Sequence, residues 1–265
     1  MYSSFTIARK YLHYYFTSLN SKGHGTHSPF VFDFITKVLN DKTVYPEYSA
    51  VESLRKRLLR DKTVINIEDF GAGSSVSKTN SRTIASVAKH AAKLPKPGQL
   101  LFRMVKKYQP KNILELGTSL GITTSYLSLA KPDATVTTIE GANAIAGVAT
   151  KNFEDLGLKN IHLTEGNFDN SLPSVVSNLS SVDFVFIDGN HRQEPTERYF
   201  SEILPFLQND SIVVFDDIRW SREMEAAWAH IKDHEKVRCT IDLFFLGIVL
   251  IKDEFREKQN FSVRF

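Results

Sequence analysis

Five acids and one histidine stand where short apolar runs end, and their order along the chain suggests a bound nucleoside and a proton to be moved. Glu115 closes the run Ile113-Leu114, Glu140 closes ATVTTI, Asp188 closes VDFVFI, and Asp216-Asp217 close IVVF. His191 follows Asp188 by three positions. Between Glu115 and the next helical pattern lies a G-x-x-x-G turn, Gly117-Thr118-Ser119-Leu120-Gly121, followed by Ile122, Tyr126, Leu127 and Leu129. Strand, glycine turn and helix together present backbone N–H groups and a helix N-terminus to a ligand. The spacing departs from the G-x-G-x-x-G of dinucleotide folds. A tight βα connection with no ligand is the competing reading.

The acids divide by the chemistry open to them. Glu140, 23 positions after Gly117, can accept both hydroxyls of a ribose, a bidentate task suited to an acid or amide; capping a helix is its alternative. Asp188, Asp216 and Asp217 would converge from adjacent strand ends. Like charges so placed repel unless a proton or cation neutralises them, and hard oxygen ligands suit Mg²⁺ or another divalent ion. In the alternative, Asp217 caps the helix starting near Trp220. A histidine can take a proton from a hydroxyl near neutral pH, so His191 is a candidate base, against a surface histidine that merely opens a helix. Asn167, Phe168 and Asp169 follow the third strand, where they could meet an adenine or form an ordinary loop.

The elements that must position these groups are legible from Pro95 onward. Apolar runs alternate with amphipathic segments, which indicates βαβ units and a parallel sheet. Strands are expected at 112–116, 134–140, 160–164, 182–188 and 211–216, with helices near 98–108, 121–131, 142–156, 193–207 and 221–235. RCTIDLF and GIVLIKD are joined by a short link and should form an antiparallel hairpin. The expected organisation is a helical extension or lid over 1–95 and an α/β domain over 96–265. A second glycine segment, Val64 to Gly73, also reads as strand, acid and turn, but no strand ending in an acid follows at the required distance. Residues 68–82 are therefore expected to form a mobile loop. Phe30, Phe32, Phe34 and Ile35 could line an acceptor pocket or join the core. His24 and His27 read as polar loop residues.

Composition removes several classes of function. The formal charge of +3 is mild and the basic residues are scattered, so no nucleic-acid partner is expected. No apolar run approaches the roughly 20 residues of a membrane span. One cysteine, Cys239, excludes an internal disulfide framework and fits a reducing cytoplasm. The N-terminal MYSSFTIARKYLHYYF reads as an amphipathic helix with Phe5, Ile7, Tyr11, Tyr14, Tyr15 and Phe16 around Arg9-Lys10. It is expected to dock on its own domain or on a twin subunit, with a membrane surface the less favoured alternative; it is the expected contact of any homodimer.

Residues 98–217 resemble the catechol and caffeoyl-CoA type of class I S-adenosylmethionine-dependent O-methyltransferases. The resemblance rests on GQLL, LELGTSLGITT, TTIEG, EGNFDNSLP, FVFIDGNH and VVFDD, all collinear. It implies a Rossmann-like methyltransferase fold, mostly parallel and seven-stranded, with an antiparallel C-terminal hairpin. It also implies S-adenosylmethionine as cofactor, with Glu115, Gly117, Thr118, Ser119, Gly121 and Thr123 around the methionine moiety. Glu140 and Asp188 would line the same site, with Glu140 at the ribose and Asn167, Phe168 and Asp169 at the adenine. Asp188, Asp216 and Asp217 fall at metal positions where the family usually has Asp, Asp and Asn. His191 stands where the family has a catalytic lysine, and with Asp188 forms the expected catalytic pair. The implied activity is O-methylation of a small hydroxylated acceptor with divalent-metal assistance. A metal-independent methyltransferase and a non-catalytic cofactor-binding protein are the alternatives.

Overall fold

The computed structural model describes residues 1–20, 22–23, 26–67, 81–91 and 95–265, the side chains of residues 90 and 91 excepted. In chain order the helices are α1 (Ser4–Thr17), α2 (Pro29–Phe34), α3 (Glu47–Leu58), α4 (Ile84–Ala91), α5 (Pro95–Tyr108), α6 (Ile122–Ala130), α7 (Asn143–Asp155), α8 (Phe168–Ser177), α9 (Gln193–Ile203) and α10 (Arg222–Asp233). The strands are β1 (Val64–Asn66), β2 (Ser81–Thr83), β3 (Asn112–Leu116), β4 (Thr135–Glu140), β5 (Ile161–Glu165), β6 (Val182–Ile187), β7 (Leu207–Phe215), β8 (Cys239–Asp242), β9 (Gly247–Ile251) and β10 (Gln259–Ser262). The chain divides into two compact units, Lys42–Leu179, and Met1–Asp41 with Ser180–Phe265.

In the Lys42–Leu179 unit, β3, β4 and β5 run parallel, with Leu114 opposite Thr137 and Thr137 opposite His162. β3 and β4 are buried along nearly their whole length, the pattern of strands covered on both faces. Strand β1 pairs antiparallel with β2 in a separate two-stranded sheet. The glycine segment that starts at Val64 therefore begins outside the parallel strands, as the missing acid-ended partner implied. The expected mobile loop lies outside the described residues, except Ser81 and Arg82 in β2.

Helices α5 and α6 pack through a close approach at Gly98. A Cβ there would stand 2.7 Å from the Tyr126 ring, so only a hydrogen lets the helix sit on that ring. The Tyr126 hydroxyl donates to Glu52 at 2.6 Å, and burial, then that hydrogen bond, raises the phenol's pKa.

In the other unit the strand order is β10-β8-β9-β7-β6. β6 and β7 are parallel, while β9 lies antiparallel to both β7 and β8. The expected C-terminal hairpin is therefore present as β8 and β9. β10 adds a strand to the expected set by pairing parallel with β8. Helix α1 docks on its own unit through Tyr11 and Tyr14, whose rings lie 5.0 and 5.2 Å from Phe244. The Tyr14 hydroxyl also donates to the Val263 carbonyl. Phe34 and Ile35 join the core, while Phe32 remains 47% exposed. Among the described residues no helix is long and apolar enough to cross a membrane.

Two outcomes follow from this packing. Gly98→Ala gains about 1 kcal/mol of helix propensity but overpacks against Tyr126 at a cost of about 1–3 kcal/mol. Urea denaturation should therefore show a net loss of stability. Burial pushes the Cys239 thiol up to about 12, with Glu254 adding to the shift. Because the thiolate is the nucleophile, Cys239 should stay unlabelled by a thiol reagent in the folded protein and label fully in denaturant.

Candidate active site

Three strand ends of the Lys42–Leu179 unit are tied together by one residue. The Glu140 carboxylate accepts the Ser119 N–H at 2.8 Å and the Ala142 N–H at 3.0 Å, one on each oxygen. Its main-chain carbonyl accepts the Gly166 N–H at 2.8 Å. The turn after β3, the end of β4 and the loop after β5 are thus joined at Glu140. The turn itself requires unusual backbone: Gly117 has φ 103°, Ser119 φ 48° and Gly121 φ 77°. Gly121 is also the N-cap of α6, and a Cβ on it would run into the Phe153 ring.

Glu115 lies deeper than its neighbours. It is fully buried, and its carboxylate accepts hydroxyl hydrogens from Thr124 and from Thr138, the latter at 2.8 Å. The Thr118 hydroxyl lies 2.6 Å from that of Thr138. The first turn of α6 holds Thr123, 7% exposed. Asn167 caps α8 by accepting the Asp169 N–H at 3.0 Å. The stretch expected as a polar loop therefore opens a helix, and Phe168 and Asp169 occupy its first turn.

The second group belongs to the unit containing β6 and β7. Asp188 follows β6, and its Oδ1 stands 3.6 Å from His191 Nε2, with the two side chains 17% and 23% exposed. That is ion-pair rather than hydrogen-bond distance. The His191 ring also lies 5.5 Å from Trp220. Asn190 and His191 both adopt left-handed backbone, φ 66° and 50°. The turn is held by the His191 N–H on the Gly189 carbonyl at 2.8 Å and by the Asn190 amide donating to the Tyr199 hydroxyl at 3.0 Å. Asp216, 2% exposed, donates its N–H to the Ile187 carbonyl at 2.9 Å.

Asp217 does not cap α10. Its carbonyl accepts the Trp220 N–H in a tight turn, and Ser221 is the cap, its hydroxyl accepting the Met224 N–H at 3.2 Å. Among the described residues no three His, Cys, Asp or Glu side chains gather closely enough to hold a metal ion. Asp188, Asp216 and Asp217 thus occupy successive strand ends without forming such a cluster. His27 lies before α2, whereas His24 is outside the described residues.

Two supporting residues escaped the reading of the sequence. Asn152 on α7 is 3% exposed and donates to the Leu120 carbonyl at 3.0 Å, clamping the glycine turn from behind. Its Oδ1 in turn accepts from Arg57 at 3.1 Å. A polar residue on the buried face of the 142–156 helix was the available signal. Tyr199 is the other; it is fully buried on α9 and gave no signal beyond its apolar face.

A parallel strand, a G-x-x-x-G turn and a helix, with an acid closing the next strand, are the elements of the Rossmann-like methyltransferase fold. Residues 114–218 match a sequence family described as a methyltransferase domain. The chain is 31% identical over 127 residues to the catechol O-methyltransferase of Niastella koreensis, an alignment covering 47% of this chain. It spans 57% of that relative's length. A methyltransferase of Podospora anserina, bound to S-adenosylhomocysteine, superposes with a TM-score of 0.59 at 13% identity, covering 96% of this chain and 98% of its own. An O-methyltransferase of Bacillus cereus in complex with S-adenosylhomocysteine gives 0.56 at 18%, covering 83% and 97%. The fold expected from the motifs is the fold observed.

Removing the Glu140 carboxylate should leave two backbone donors without their charged acceptor. Glu140→Ala is expected to lower unfolding free energy by about 2 kcal/mol in urea titration. Amide exchange at Ser119 should quicken in the same variant.

Proposed function

We propose that the protein is an S-adenosylmethionine-dependent methyltransferase acting on a hydroxyl of a small molecule. The observation that carries the cofactor reading is the glycine turn closed on Glu140. The Glu140 carboxylate organises the turn through Ser119 and Ala142, and an acid at that strand end is suited to accept the two hydroxyls of a ribose. In this reading Gly117, Thr118, Ser119, Gly121 and Thr123 hold the methionine end, and Asn167, Phe168 and Asp169 the adenine. Glu115, buried under Thr124 and Thr138, keeps the turn in place. When bound, the cofactor supplies a methyl carbon activated by its sulfonium.

His191 is the proposed base. With Nε2 directed at Asp188, the Nδ1 lone pair is the one to accept the acceptor's hydroxyl proton. Asp188 then stabilises the imidazolium and fixes the ring, as a carboxylate does for a catalytic histidine generally. Aligning and deprotonating the nucleophile are the protein's main tasks in a direct displacement. The three strand-end aspartates do not gather as a metal cluster, so no step is placed on a divalent ion, and metal assistance enters as an arm of the test. Self-association at the N-terminal helix belongs to the same proposal. Its face would be the stripe Phe5, Leu12 and Phe16, 81%, 57% and 75% exposed, and light scattering reads it.

Transfer of a radiolabelled methyl group to a panel of catechols, other phenols and aliphatic alcohols tests the reading. His191→Ala should lower kcat by about 10²–10⁴-fold while calorimetry shows cofactor affinity unchanged. Glu140→Ala should instead weaken cofactor binding. Chelation with EDTA, followed by Mg²⁺ restoration, reports metal assistance through Asp188, Asp216 and Asp217. Cofactor binding with no transfer to any acceptor would favour a non-catalytic binding protein.

A further inference from the structure

The unit formed by Met1–Asp41 and Ser180–Phe265 contains a cavity of about 650 Å³, walled by α1, α10, β8 and β10. That size suits a small-molecule ligand. Its charged lining is Arg9, Lys10, His13, Arg219, Lys232 and Asp242. Two of the cations are already matched. Arg219 bonds Asp242 Oδ2, and Lys10 Nζ reaches both oxygens of Glu225 at 2.9 and 3.0 Å. The carboxylates are occupied as well. Asp242 Oδ1 accepts the Phe244 N–H at 2.8 Å, and Glu225 Oε2 accepts the Tyr2 hydroxyl at 2.6 Å.

Arg9 and Lys232 are left over. Neither has a carboxylate partner among the described residues, and the Lys232 ammonium rests 5.9 Å from the centre of the Trp228 ring. Like charges sharing one concave space repel, and such a cleft focuses its field on anions. The Asn260 amide oxygen accepts from Thr240 at 2.6 Å, which leaves the amide's N–H donors for a ligand.

We infer that this cavity binds a phosphate-bearing small molecule, a phosphomonoester or diphosphate. Two unmatched cations balance the charge of nearly −2 that a phosphomonoester carries at neutral pH, whereas a single carboxylate leaves one cation unmatched. Arg9 also offers the planar fork that two phosphate oxygens accept. The phosphomonoester could come on a soluble molecule or as the headgroup of phosphatidic acid, since α1 exposes Phe5, Leu12 and Phe16. The inference is independent of the methyltransferase reading.

Calorimetry of the full chain with pyrophosphate, and co-sedimentation with phosphatidylcholine vesicles with and without phosphatidic acid, test it. Pyrophosphate binding weakened about tenfold or more in Arg9→Gln/Lys232→Gln supports a soluble ligand. Sedimentation only with phosphatidic acid, lost in the same variant, supports the headgroup. Lys236→Gln/Arg238→Gln removes the same charge from exposed positions that do not line the cavity and should leave binding intact. Absence of both bindings, retention in the first variant, or equal loss in the second overturns the inference. Thermal melts confirm that each variant is folded.

Discussion

The candidate cofactor site depends on how one carboxylate is shared. Glu140 is bound at both side-chain oxygens and at its carbonyl by N–H groups from Ser119, Ala142 and Gly166. Charge-assisted hydrogen bonds are roughly twice as strong as neutral ones, so the anion organises its surroundings more firmly than a glutamine could. A glutamine would also present one acceptor where two are required. The loops after β3, β4 and β5 are held in register before a ligand arrives, which removes part of the ordering cost of binding. Asn152 completes the clamp from the opposite side through the Leu120 carbonyl.

Among the described residues, four of the seven non-glycine positions with positive φ lie in turns that carry candidate site residues. Ser119, Asn190, His191 and Asp217 all have positive φ. Asn and Asp tolerate the left-handed region, but for serine and histidine it costs about 1–2 kcal/mol. Such conformations persist only where neighbours over-determine them. The Ser119 N–H is fixed by Glu140, and the Asn190-His191 turn by Gly189 and Tyr199. The turn after β6 thereby places the imidazole beside Asp188 rather than on a helix face.

The sequence was most readable where burial is continuous. β3 occupies the expected residues and β4 and β6 differ by about a residue, because strands buried on both faces leave uninterrupted apolar runs. β10 was not legible: Gln259-Asn260-Phe261-Ser262 has no apolar run and becomes a strand only by pairing with β8. α8 was masked by Pro173, a helix breaker by local rules, although Asn167 supplies a cap and Leu172 and Val176 a buried face. Spacing identified which strand ends carry acids. It could not give the separations of the carboxylates, which depend on the turn that follows each strand, and at Asp217 that turn closes on Trp220.

Two positions differ from the catechol-type pattern that the motifs resemble, and under the proposed function they have a common physical sense. Lysine at position 191 would have to shed its charge before acting as a base, and desolvation by burial is the usual means. An imidazole is already a competent acceptor near neutral pH, so a site with partial exposure and a carboxylate neighbour suits it better. His191, 23% exposed beside Asp188, has those surroundings. Aspartate instead of asparagine at 217 adds negative charge to the strand ends, which in the proposed reaction disfavours an anion formed near them unless its proton is taken up nearby. In that reaction an imidazolium at His191 supplies the compensating positive charge as the proton leaves. Under this proposal base and added acid act together, the deprotonation being balanced within the turns after β6 and β7.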